Sequence, residues 1–145
     1  MAIDDLLRSG RIRREAISPA EIRNALKLAD RDLRVARKLM AEELDWGFAV
    51  AYNAVLQAGR AFMFAKGYRP ASAEGHKNTF AFLAAALGSE HADLVSYFDR
   101  MRSKRNQAVY GLAGRIAETE ARNLLTKATE FVRLVKRLVK PEPRR

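Results

Sequence analysis

Apolar residues return at steps of three and four along almost the whole chain, and no stretch alternates at steps of two. That regularity predicts helices, because a helical face repeats about every 3.6 residues and a half-buried strand every two. The firmest start signal is Ser18-Pro19-Ala20-Glu21, a hydroxyl cap, a proline at the first helical position and a glutamate placed to close a capping box. Behind it Ile22, Leu26, Ala29, Leu33, Ala36 and Met40 make one stripe that predicts a helix ending near Leu44. Arg23, Lys27, Asp30, Arg31, Arg34 and Arg37 lie between stripe positions and read as its wet face. Upstream, Ile3 to Ile12 predict a short helix interrupted at Ser9-Gly10.

Asp45 is placed to cap a second long helix, Trp46 to Lys66, ended by Gly67 where a positive φ is wanted. Phe48, Val50, Tyr52, Val55, Leu56, Phe62, Met63 and Phe64 make it apolar on most sides. Such a helix is either the buried one of a bundle or has one face in the core and another against a second subunit. Residues 68–75 read as the one genuine loop. A short helix then runs from about His76 to Leu87, and another starts at Ser89 and continues into Arg102-Ser103-Lys104-Arg105-Asn106. After a break at Gly111 and Gly114, the last helix begins near Glu118 and is stopped by Pro141 and Pro143. The pattern predicts an all-α fold, an up-and-down four-helix bundle with an additional short helix. Residues 1–17 form an N-terminal extension, 18–140 the bundle and 141–145 a basic tail.

Composition excludes several chemistries. There is no cysteine, hence no disulfide scaffold or thiolate site, and only two histidines, His76 and His91, so no metal centre is expected. No P-loop, GxGxxG or HExxH motif is present, and no cofactor is expected. No apolar run approaches 18 residues, so no membrane partner is expected. Residues 1–14 lack a signal peptide's apolar stretch, which makes the cytoplasm the default location. Charge is informative by its distribution. Of a net +10, residues 100–145 carry 13 basic and 4 acidic side chains. A one-sided positive field of this kind attracts polyanions, although a solvated helix face would look the same in sequence.

Within that field, Arg102 shares a helical face with Arg105 and Asn106, and Asn106 shares one with Tyr110. Two guanidinium forks, an amide and a phenol suit phosphates and stacked bases. Gly75-His76-Lys77, after the loop, could bind a phosphate at a helix N-terminus, although a lone loop histidine is more often a cap or a surface residue. Spacing alone favours the plainer account of solvated arginines and a half-buried ring.

Three segments in order resemble the HEPN family, the higher-eukaryote and prokaryote nucleotide-binding domain. They are the Ala- and Tyr-rich stretch Ala49–Ala61 ending in Phe64-Ala65-Lys66-Gly67, the Pro70 loop leading to Gly75-His76-Lys77 and Phe80, and Arg102–Tyr110. The resemblance spans roughly residues 20–140 and implies a helical bundle, commonly a homodimer. It also implies action beside a minimal nucleotidyltransferase in a toxin–antitoxin-like pair, with nucleotide or RNA as ligand. Active members cleave RNA without a metal through an Arg followed, after four to six residues, by His. Here Arg105 and Asn106 match the start of that motif, and Tyr110 stands where the histidine would follow. A phenol with a pKa near 10 is a poor general base at neutral pH. The motif residues Arg102, Arg105, Asn106 and Tyr110, with His76 and Lys77, are therefore expected to bind nucleotide or RNA without catalysis. The alternatives are a ribonuclease toxin in which Tyr110 or His76 replaces the missing base, and a purely structural dimerisation domain.

Overall fold

Ser18 caps the first long helix through its hydroxyl, which accepts the backbone N–H of Glu21 at 3.2 Å, with Pro19 at the first helical position. The computed structural model describes residues 1–111 and 113–139. They form α1 (Ile3–Arg8), α2 (Pro19–Leu39), α3 (Leu44–Ala65), α4 (Gly75–Leu87), α5 (Ala92–Tyr110) and α6 (Glu118–Leu138). The predicted stop at Pro141 and Pro143 and the basic tail lie outside the described residues. The fold is all-α in character, with one very small sheet.

That sheet is absent from the sequence expectation. β1 (Ile12–Arg14) and β2 (Tyr68–Pro70) pair antiparallel, with Ile12 opposite Pro70 and Arg13 opposite Arg69. Three-residue strands are too short to display an alternating pattern, and their pairing is a tertiary event. The helix expected to run from Trp46 begins instead at Leu44, and Asp45 does not cap it. The buried Asp45 carboxylate accepts the N–H of Gly114 at 2.9 Å, pinning the turn between α5 and α6. Before α5, residues 89–91 form a single 3₁₀ turn.

α3 is the central element. Fourteen of its 22 residues are buried, and α2, α4, α5 and α6 all pack against it. Its apolar sides are thus covered within one chain, so a second subunit is not needed to account for them. α2 and α6 are amphipathic and lay Leu33, Ala36, Leu124, Phe131 and Val135 on the core. The N-terminal segment joins the same core through Leu6 and Ile12. Where α4 crosses α3, Gly59 permits the approach. A Cβ at Gly59 would stand 3.1 Å from Leu83 Cδ1 and 3.2 Å from Thr79 Cγ2.

Gly59→Leu should therefore overpack the α3–α4 seam, against any gain in helix propensity. The expected loss is about 1–3 kcal/mol, read as a lower urea midpoint with an unchanged slope. An unchanged midpoint would show that α4 is not held by this contact.

Candidate functional site

The start of α4 is built to leave its amides free. Glu74, the residue before the helix, sits in the left-handed region (φ 54°, ψ 39°), and no side chain caps the first turn. A non-glycine residue in that region stores of the order of 1 kcal/mol or more, so the surroundings must hold it. Asn78 does so from below, donating to Ala73 C=O at 2.9 Å and accepting from Arg11 Nε at 2.8 Å. Thr79 donates its hydroxyl to Gly75 C=O at 2.8 Å. The backbone N–H groups at the helix start then point to whatever lies in front of them.

α5 lies in front. Its Arg102, Arg105 and Asn106 face Glu74, Gly75, His76 and Lys77 across an open hollow of about 240 Å³. Arg102 is held by Asp99, whose Oδ1 accepts from Nε at 3.2 Å. Arg105 has no carboxylate partner among the described residues. One of its terminal nitrogens, Nη1, donates to Asn106 Oδ1 at 3.3 Å, while Nε is buried and without a partner there. A buried charged N–H lacking an acceptor costs about 1–3 kcal/mol or more, which an anion in the hollow would relieve.

His76 is oriented from the core. Tyr52 of α3 is fully buried, and its hydroxyl lies 3.2 Å from His76 Nδ1 with no other partner among the described residues. Burial pushes the Tyr52 phenol well above its usual range, against the opposing pull of Arg102, Arg105 and Arg60. The phenol therefore keeps its proton, and Nδ1 is the acceptor within reach. Donation from Tyr52 to Nδ1 places the neutral imidazole's own proton on Nε2. The pKa of His76 is lowered, first by burial and then by Arg105, Arg60 and Arg102.

The hollow gathers most of the residues expected from sequence: Arg102, Arg105, Asn106, His76 and Lys77. Tyr110 is not among its lining residues. It ends α5 and is 79% exposed, because five residues of helix turn it roughly 140° away from Arg105. Lys104 is turned to α6, where it pairs with Glu120. His91 sits in the 3₁₀ turn beside Glu90, outside the hollow. Two participants escaped the sequence reading. Tyr52 was indistinguishable from core. Arg60 left a trace, since it is the only charged residue in 46–65.

A family model, the HEPN domain, matches residues 22–138. The chain belongs to the HEPN family. The match takes in α3, α4 and α5 entire, so every residue lining the hollow lies inside it. A comparison with curated proteins gives no match. In this HEPN domain the segment before residue 22 adds β1 and Arg11, which brace the loop that leads into α4. Among the described residues no helix is long and apolar enough to cross a membrane, and no cluster of acids and histidines is placed to hold a metal ion.

The lowered pKa of His76 has a definite sign in stability. The unfolded chain takes up the proton near pH 6.5 and the folded one only below it. The contribution of neutral His76 is thus complete above about pH 6.5, begins to fall below that value, and is lost as the pH falls through the lower folded pKa. Between about pH 7.5 and about pH 5.5 the wild type should lose more Tm than His76→Gln does. Parallel losses would show that His76 is not desolvated.

Proposed function

We propose that this HEPN domain binds the phosphates of RNA or of a nucleotide in the hollow between the start of α4 and α5, and does not cleave them. The observation that carries the reading is the buried, unpartnered Nε of Arg105, beside Arg102, Lys77 and the uncapped amides of α4. Guanidinium forks and helix-start amides both donate to phosphate oxygens, and neither offers an acceptor that would favour a cation. His76 fits the same role, because its Nε2–H is a further donor while Tyr52 occupies Nδ1.

The same geometry argues against cleavage. Attack by a 2′-hydroxyl needs a group to take its proton. Arg105 cannot, since its pKa stays above about 12. Tyr52 is held protonated, and Tyr110 lies away from the hollow. Ribonuclease activity is the second reading, and the observation in its favour is that His76 lines the same hollow as Arg105 with a lowered pKa. It requires the opposite tautomer, with Nδ1–H donating to Tyr52 and a buried phenol proton left without an acceptor. That arrangement costs about 1–3 kcal/mol, which favours binding. Assembly as a homodimer and action beside a minimal nucleotidyltransferase, in a toxin–antitoxin-like pair in the cytoplasm, rest on the family resemblance alone.

Binding of a fluorescent single-stranded RNA should weaken steeply with salt, as counterion release requires. Arg105→Ala should reduce affinity by about tenfold or more, the worth of a charge-assisted contact, and flatten the salt slope. Arg133→Ala, an exposed charge of α6, is the control and should change little. Equal losses at both positions would reduce the site to a diffuse positive field. Incubation with RNA and a chelator should yield no products. Cleavage that disappears in both Arg105→Ala and His76→Ala would establish the ribonuclease reading instead.

A further inference from the structure

A second hollow, of about 300 Å³, adjoins the first. Arg13, Arg60, Phe64, Arg69, Ser72 and Gly75 are among the residues that line it. Gly75 lines both hollows, and a Cβ built there meets no atom within 4 Å.

The three arginines are not equivalent. Arg69 is already engaged, donating to Glu15 and Glu21 while its guanidinium lies 4.9 Å from the centroid of Phe64. It is one wall of the hollow. Arg13 has only Glu15 near it, at 3.8 Å, beyond hydrogen-bond distance. Arg60 has neither an ion pair nor a hydrogen bond among the described residues. It lines the second hollow, and its charge also acts on His76, which lines the first. The β1–β2 register sets Arg13 directly opposite Arg69, and like charges in that position oppose pairing. Glu15 and Glu21 bond Arg69, leaving Arg13 and Arg60 as the charges able to receive a ligand.

We propose that Arg13 and Arg60, beside the Ser72 hydroxyl, form a second phosphate subsite, which receives another phosphate of the ligand held at Arg105. The inference rests on the reading of the first hollow as a phosphate site. It makes the preferred ligand one with at least two phosphates. Successive phosphodiesters of a strand and the outer phosphates of a nucleotide both have that chemistry.

The test compares the full chain's affinity for adenosine monophosphate, adenosine triphosphate and a short single-stranded RNA without terminal phosphates. RNA or the triphosphate should bind about tenfold or more tightly than the monophosphate, and whichever gains identifies the source of the second phosphate. Arg13→Ala should remove most of that gain while leaving monophosphate binding unchanged. Arg13→Lys should restore it in part, which a merely structural role for Arg13 would not produce. Arg60→Ala should weaken the multiphosphate ligand more than the monophosphate. For RNA, each lost contact should lower the salt slope by about 0.7. No gain for either larger ligand, or a gain that survives both alanine variants, would overturn the second subsite. Monophosphate binding untouched by Arg105→Ala would overturn the first hollow instead, so the two failures are distinguishable.

Discussion

Burial of α3 is the constraint on which the rest depends. A helix that is apolar on nearly every side cannot face water, and four other helices supply its cover. Small residues set how closely they come. Ala51, Ala54, Ala58 and Ala61 are fully buried, and Gly59 brings α4 near enough for Leu83 and Thr79 to rest on bare backbone. The polar positions of α3 are correspondingly purposeful. Asn53 donates to the buried Asp32 of α2 at 2.7 Å, with Arg31 on the other carboxylate oxygen at 2.9 Å, so the α2–α3 seam carries a satisfied charge. Asp45 fixes the distant turn at Gly114.

Tyr52 connects this core to the surface chemistry. Its ring packs against Phe80 within the bundle, and its hydroxyl reaches His76 at the rim of the hollow. A rigid, buried phenol is a better positioning group than an exposed one, because it has few alternative rotamers and one partner. The hydrogen bond that orients His76 thereby comes from the interior. The basic face is shaped in the same manner. Asp99 and Glu120 hold Arg102 and Lys104 in different directions, so a run of charge becomes two separate surfaces.

Much of this was legible beforehand where the signal is local. The Ser18 cap, the Pro19 start and the spacing of the α2 stripe all describe interactions within four residues, and α2 begins where they say. The grouping of Arg102, Arg105 and Asn106 follows from helical spacing alone. Tyr110 shows the limit of the same arithmetic. Sharing a face with Asn106 did not bring it to Arg105, because four residues preserve a face and five rotate off it. Asp45 looked like a cap because caps are short polar residues, while its actual partner lies 69 residues away.

Periodicity and composition along continuous stretches suffice for the helices, the buried character of α3 and the excess of positive charge in the last third of the chain. The tertiary structure alone decided which charges meet. Arg105 and His76 line one hollow only when α4 and α5 pack on the same helix, and Arg13 and Arg60 line another only once β1 pairs with β2. The members of these pairs stand 29 and 47 positions apart, beyond the reach of any local rule. Their energetics depend on burial as much as on distance: the same arginine is a solvated charge on an isolated helix and an unpartnered donor once its Nε is enclosed.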